Sequence, residues 1–183
     1  MMSRYIALYG FIAGLIVGAP MIYFMLNAPP DPLQSPEAGL LYGYLTMLVA
    51  LTAVFLGVKH YRDKVLGGAI KFMPALLLGL GISAVASILY ATAWEISLAL
   101  SGFDFASSYG KSLVEAARAK GASPAELQKV IADAEDFKKS YANPFYRFPV
   151  TFLEMFPVGV LISLISAALL RNSRLLPARA PAS

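Results

Sequence analysis

The sequence predicts an all-α membrane protein with four transmembrane helices and a helical extracytoplasmic cap between the third and the fourth. The chain of 183 residues is 58% hydrophobic and only 14% charged, whereas a soluble domain carries about 25% charged residues. Its apolar residues form four runs, and each run has at least the roughly 17–25 residues that cross a bilayer. The runs cover residues 5–26, 40–58, 72–100 and 149–170. Residues 1–183 are therefore expected to form a single integral membrane domain.

The first run is expected to stay in the chain as an anchor. It is longer than the apolar part of a secretory signal, which has about 7–15 residues. Leu26 and Ala28, followed by Pro29 and Pro30, also make a poor cleavage site. The loop after this run, 27–39, contains no Lys or Arg. It contains four prolines and two acidic residues, namely Pro29, Pro30, Pro32, Pro36, Asp31 and Glu37.

Basic residues indicate the orientation of the four spans. If all four runs cross, Arg4, the second loop 59–71 and the tail lie on one side of the membrane. The positive-inside rule makes that side cytoplasmic, so both termini are expected in the cytoplasm. The loop 101–148 then faces outward, and because it has seven basic residues of its own, the basic-free first loop decides the orientation. The basic residues of the second loop and tail are Lys59, Arg62, Lys64, Lys71, Arg171, Arg174 and Arg179.

The external loop is predicted to contain two helices. Ser123 to Glu126 form a capping box with Pro124 at the first helical position, because the serine hydroxyl and the glutamate carboxylate can each satisfy a free backbone N–H. Apolar residues then follow at helical spacing up to Asn143. An earlier helix is expected over 108–120, ending at Gly121. The cap is interpreted as a packed lid over the spans, with a partner- or substrate-binding cap as the alternative.

Small residues recur at four-residue spacing in every span. Such spacing lets helix backbones approach closely where lipid gives no hydrophobic drive between helices. Packing inside one four-helix bundle is the favoured interpretation, and a homodimer seam is the alternative. The residues are Gly10, Gly14 and Gly18; Gly39 and Gly43; Gly79, Ser83, Ser87 and Ala91; and Gly159, Ser163 and Ala167.

Glu154 is the main candidate for a functional residue, because it lies inside the fourth apolar run. A carboxyl group at the centre of a spanning helix costs roughly 2.5–3.5 kcal/mol. Pro157 cannot donate to the carbonyl of Leu153, so a kink is expected beside Glu154, with Gly159 following. Two partners are open for Glu154, namely Arg147 and Glu95. The role is left among a structural tether, a proton or cation site and a substrate site.

Other chemistry is weakly represented. Cysteine is absent and His60 is the sole histidine, so no metal site and no cofactor are expected, and His60 is assigned to the surface or to lipid headgroups. The inner loop, with Lys59, Arg62, Asp63, Lys64 and Lys71, is expected to fix the topology and to contact anionic headgroups. Nucleic-acid binding is not expected, because the net charge of +4 belongs to residues that flank the spans.

Two parts of the chain carry motifs of a known family. The first part contains Tyr61-Arg62-Asp63 and Gly67-Gly68, and the second contains Phe152, Glu154, Pro157 and Gly159. With these motifs the chain resembles the domain-of-unknown-function family 4199 (DUF4199) of small bacterial inner-membrane proteins. The resemblance extends over nearly the whole chain. It implies four helices in a bacterial inner membrane and implies no activity.

The function expected from these features is a non-enzymatic accessory or scaffold subunit, which docks on an unidentified envelope protein or on itself within the lipid bilayer. The alternative is small-solute or proton-coupled transport, with Glu154 and Glu95 at an outer polar site. A lipid-modifying enzyme is the remote third option, since Glu95 and Glu154 are the only polar groups that could form a reactive cluster.

Overall fold

A computed structural model describes residues 1–27 and 36–177, excluding the side chains of 36–40 and 42. This part of the chain forms six helices and no strand. They are α1 (Met2–Asn27), α2 (Pro36–Lys64), α3 (Phe72–Ser101), α4 (Phe105–Ala119), α5 (Pro124–Tyr141) and α6 (Pro144–Leu170). Four of them, α1, the Gly43–Lys64 part of α2, α3 and α6, are long and apolar enough to cross a membrane. The all-α membrane fold with four spans is confirmed. The predictions for Pro29, Pro30, Asp31, Pro32 and Arg179 lie outside the described residues.

Several helices extend beyond the predicted bounds, and two of these extensions bear on the site. Helix α2 continues to Lys64, so the loop predicted to begin at residue 59 is wrong for its first six positions. An ion pair one turn apart supports this last stretch, with Lys59 Nζ 2.5 Å from Asp63 Oδ2. Helix α6 begins at Pro144 rather than at residue 149, because Asn143 Oδ1 accepts a hydrogen bond from the backbone N–H of Phe145 at 3.0 Å and caps the helix.

Helix α3 is the centre of the bundle. Its most extensive contacts are with α1 and α6, while α2 packs against both α1 and α6 and touches α3 less. The four spans therefore follow each other around the bundle as α1, α3, α6 and α2. Helices α1 and α3 run in the same direction, and α6 runs antiparallel to α3.

The glycines of α1 set its distance from α3. Gly10, Gly14 and Gly18 lie against Val85, Leu89 and Ala93 respectively, so each glycine faces the residue 75 positions later. A Cβ atom added at Gly14 would lie 2.5 Å from the Cβ of Leu89, which is too close for two carbon atoms. The first small-residue motif is thus used within the chain, where it brings two backbones together.

Helices α4 and α5 form a hairpin at one end of the bundle. The capping box is confirmed, since Glu126 Oε2 accepts hydrogen bonds from the backbone and hydroxyl of Ser123, both at 2.8 Å. These bonds lower the pKa of Glu126. At the start of α4, hydrogen bonds from Ser107 likewise lower the pKa of Asp104. The earlier helix begins at Phe105 rather than at residue 108.

An aromatic cluster joins the hairpin to α3. Trp94 meets the ring of Phe105 edge-on with centroids 5.2 Å apart, and further ring contacts extend the cluster through both hairpin helices. Aromatic rings at 5–6 Å separation add attraction beyond their buried area. The cluster consists of Trp94, Phe105, Tyr109, Phe137 and Tyr141.

The close approach of α1 and α3 gives a testable difference between two glycines. Gly14→Ala should lower the free energy of unfolding by about 1–3 kcal/mol, because the new methyl group overpacks the contact with Leu89. Gly43→Ala is the control, since no atom of the described residues lies within 4 Å of a Cβ there, and it should be neutral or gain up to about 1 kcal/mol from helix propensity. Unfolding of the purified protein in mixed micelles measures both. Equal losses would contradict the assigned contact.

Candidate functional site

The polar residues of α3 and α6 meet along one line, which we call the α3–α6 seam. Glu95 pairs with Arg147, Tyr90 with Glu154, Ser83 with Gly159, and Gly79 faces Ser163. As the residue number falls along α3, the number of its partner rises along α6, as antiparallel helices require. The seam thus runs from the hairpin end of the bundle into the membrane-spanning part.

The hairpin end of the seam is an ion pair. Arg147 Nε donates to Glu95 Oε1 at 2.7 Å, and Arg147 Nη2 donates to Glu95 Oε2. The remaining nitrogen, Nη1, donates to the backbone carbonyl of Tyr141 at 3.1 Å. This two-pronged arrangement is the strong geometry for a guanidinium and a carboxylate. It fastens α3, α5 and α6 to one another where the spans end.

Glu154 has a different partner from those considered for it. Its Oε2 atom accepts a hydrogen bond from the hydroxyl of Tyr90 at 3.0 Å. The alternatives of Arg147 and Glu95 as partners of Glu154 are wrong, because those two residues bind each other. Tyr90 is buried, with 8% of its surface exposed, whereas Glu154 is exposed at the surface of the single chain. Glu154 therefore lies at the edge of the seam, where its carboxyl group reaches the buried Tyr90 while part of the residue is exposed.

The depth of Glu154 follows from helix geometry. It lies two turns beyond Arg147, which is about 10 Å along the axis. Trp94 and Tyr146 accompany the Glu95–Arg147 pair, and such residues are typical of the membrane interface. If the ion pair is taken as the boundary of about 30 Å of hydrocarbon, helix geometry places Glu154 about 5 Å from the midplane.

Below Glu154 the seam is closed by small residues. Ser83 and Ser163 hydroxyls lie 3.2 Å apart, and both donate to the carbonyl of Gly159, at 3.2 and 2.7 Å. A Cβ atom at Gly159 would lie 2.6 Å from that of Ser83. Ser87 is also buried, and its hydroxyl has no hydrogen-bond partner among the described residues. Helix α6 remains one helix through the exposed Pro157, and the kink expected there stays a prediction.

Trp94 and Tyr141 complete the hairpin end of the site. Trp94 Nε1 donates to the hydroxyl of Tyr141 at 2.7 Å. Burial raises the pKa of Tyr141 to about 12, so its phenol keeps its proton at neutral pH. The sequence analysis missed this pair and Tyr90. Counting inward along α3 from Glu95 would have placed Tyr90 beside Glu154, but only with the register already known.

The opposite end of the bundle contains a buried arginine. Arg62 has 0% of its surface exposed, so its assignment to lipid headgroups is wrong. Its Nε donates to Asp63 Oδ1 at 2.6 Å. Its Nη1 and Nη2 donate to the backbone carbonyls of Leu175 and Leu176, at 3.0 and 2.5 Å. The guanidinium thus holds the segment after α6 against the end of α2.

The neighbours of Arg62 differ in exposure. Lys59 is bound to Asp63, while Lys64 and Lys71 are exposed, so these two are the inner-loop cations free to meet headgroups. His60 is exposed as expected, and its Nδ1 lies 2.5 Å from the hydroxyl of Tyr9. Across residues 1–27 and 36–177, no group of three acidic, histidine or cysteine side chains is arranged to hold a metal ion.

The fold and the seam define a polytopic membrane protein, four spans whose interface carries an ion pair at one end and a carboxylate–tyrosine pair at membrane depth. The chain belongs to the family described as "Protein of unknown function (DUF4199)", whose model matches residues 8–172. The match begins within α1 and covers the other three spans, the hairpin and the complete α3–α6 seam. No curated protein and no solved structure matches the chain.

The role of Arg62 can be tested by removing its guanidinium. Arg62→Met should lower the free energy of unfolding by about 2–4 kcal/mol, because two carbonyls and a carboxylate lose a charged donor. Leu176 also has a left-handed backbone, with φ of 49°, which costs about 1–2 kcal/mol. The hydrogen bond from Arg62 to its carbonyl helps to offset this cost.

Hydrogen–deuterium exchange shows directly whether the segment after α6 is released from the end of α2. Amides of residues 171–177 should exchange faster in Arg62→Met, whereas Lys64→Met, two positions away and exposed, should leave them unchanged. Unchanged exchange in Arg62→Met would show that the segment after α6 is held by something else.

Proposed function

We propose that this protein is a non-enzymatic accessory or scaffold subunit of an envelope complex in a bacterial inner membrane. The closed α3–α6 seam carries the proposal. Gly79, Ser83, Gly159 and Ser163 pack at backbone distance, which leaves the centre of that contact filled by the protein itself. Glu154 and the hairpin are exposed outside this contact, where another protein can reach them.

The ion pair supports the same proposal. Glu95 was one of two acids assigned to a transport site, but its carboxylate is bound on both oxygens by Arg147. An acid bound in this way holds helices together, and moving an ion through it would require breaking two charge-assisted hydrogen bonds. The hairpin end of the seam is thus better suited to fastening than to conduction.

Both termini are proposed to lie in the cytoplasm. The end of the bundle away from the hairpin carries the exposed cations Arg4, Lys64, Lys71, Arg171 and Arg174, and cytoplasmic flanks are enriched in such residues. Because the chain has no cysteine, single cysteines report orientation cleanly. In intact spheroplasts, a membrane-impermeant maleimide should label Lys120→Cys and should label Lys64→Cys only after lysis. The reverse pattern would invert the orientation.

Transport of a small solute or of protons is the second candidate. The hydrogen bond between Tyr90 and Glu154 at membrane depth favours it, since carboxylates inside membranes often belong to ion or proton pathways. Transport predicts proton or ion flux into liposomes that contain the protein, and loss of that flux in Glu154→Gln.

Native mass spectrometry tests the proposed function. The protein is extracted at native abundance in lipid particles, after cross-linking in the membrane. The expected result is a second, different protein in fixed stoichiometry, together with proteoliposomes that show no flux above empty liposomes. A chain found alone or only with copies of itself, together with flux that Glu154→Gln abolishes, would overturn the proposal in favour of transport.

A further inference from the structure

Glu154 is the acid of the seam that has no cationic partner among the described residues. A carboxylate can accept about four hydrogen bonds, and the described residues provide one, from Tyr90 to Oε2. Within the described part of the chain, no lysine or arginine lies within ion-pair distance of Glu154, whereas Glu95 and Asp63 each have a cation. The carboxyl group of Glu154 is therefore without a cationic partner among the described residues.

The exposed residues of α6 around Glu154 have the spacing of a helix-packing face. Exposed residues follow Glu154 along α6 at alternating three- and four-residue steps, the spacing with which two helices pack at a shallow angle. Large side chains provide the contact, with Leu161 56% exposed and Leu164 41% exposed. The residues of this face, which we call the α6 face, are Glu154, Pro157, Leu161, Leu164 and Ala168.

We propose that the α6 face binds a transmembrane helix of another protein, and that this helix presents a lysine or arginine at the depth of Glu154. The proposal rests on the proposed function and names the chemistry of the partner. Oε1 and the free lone pair of Oε2 accept from the cation, while Tyr90 holds the carboxylate in place from the bundle side. The leucines of the α6 face supply the apolar contact.

Charge complementarity selects this occupant over the others. A second copy in the same orientation would place another Glu154 at the same depth, where two carboxylates repel each other unless one of them takes up a proton. The headgroup of a lipid lies about 10 Å away along α6, out of reach of this carboxylate. A helix that carries a cation satisfies both its own intramembrane charge and that of Glu154, which are each costly alone.

Designed transmembrane peptides test the proposal in liposomes. The probe is a Leu-Ala helix of about 23 residues with one lysine placed about 10 Å inside the hairpin-side interface. The first control peptide has leucine at that position, and the second has its lysine about 10 Å inside the opposite interface. Energy transfer between a dye on Lys120→Cys and a dye on the peptide measures binding, with peptide insertion checked separately.

The depth-matched lysine peptide should bind roughly 3- to 30-fold more tightly than the leucine peptide, the range that interhelical polar contacts give in membranes. The displaced lysine should give no gain. In Glu154→Gln, which keeps an acceptor for Tyr90, the affinity should fall to that of the leucine peptide. The exchanged variant Leu153→Glu with Glu154→Leu moves the acid about 100° around the helix and should lose the preference in the same way.

Each remaining outcome overturns the proposal. Equal binding of the depth-matched lysine peptide and the leucine peptide would show that no charge contact forms. A preference for lysine that survives the exchanged variant would show that the peptide does not bind at the α6 face. Self-association of the protein that depends on Glu154 would make a second copy the occupant. Failure here is separable from failure of the proposed function, since a native partner that still co-purifies with Glu154→Gln leaves the accessory role standing and removes only this site.

Discussion

Close backbone contact on two sides of α3 is the constraint on which the rest of the structure depends. Lipid tails are as apolar as leucine side chains, so helices in a bilayer associate through packing and hydrogen bonds. Gly14 brings α1 against α3, and Gly159 brings α6 against α3 on another side. These contacts fix the register of both neighbours, and the register then decides which polar groups meet. Tyr90 reaches Glu154 because Ser83 already lies on Gly159.

The charged residues of the spans fall into two groups, those that are paired within the chain and Glu154. Arg62 and Asp63 lie at one end of the bundle, and Glu95 and Arg147 lie at the other, and each pair is satisfied within the chain. Such charges hold the ends of helices and the segments that follow them. Glu154 differs, because among the described residues its carboxyl group accepts one hydrogen bond, from Tyr90, and has no cation beside it.

The spans, the capping box of Ser123 and the small-residue contacts of α1, α3 and α6 could be predicted because each depends on local spacing or on length. The same spacing predicted a contact at Gly43 that the described residues do not make. The partners of Glu154 could not. Spacing along α6 put Arg147 two turns away on the same helix, but α3 presents Glu95 to Arg147 and Tyr90 to Glu154, and that pairing depends on the register between two helices. The burial of Arg62 was missed for a related reason, since the carbonyls that bind it come from Leu175 and Leu176, at the far end of the chain.

A cation on a partner helix would also account for why the acid stands beside a tyrosine. A carboxylate alone in hydrocarbon tends to take up a proton and lose its charge. The hydroxyl of Tyr90 can only stabilise the oxygen that it reaches, and burial of Tyr90 keeps that donor in place before a partner arrives. A preformed donor on one side lowers the cost of orienting the carboxylate when the partner binds. On the proposal of a partner helix, the contact is prepared in advance, with one half supplied by α3 and the other half by the partner.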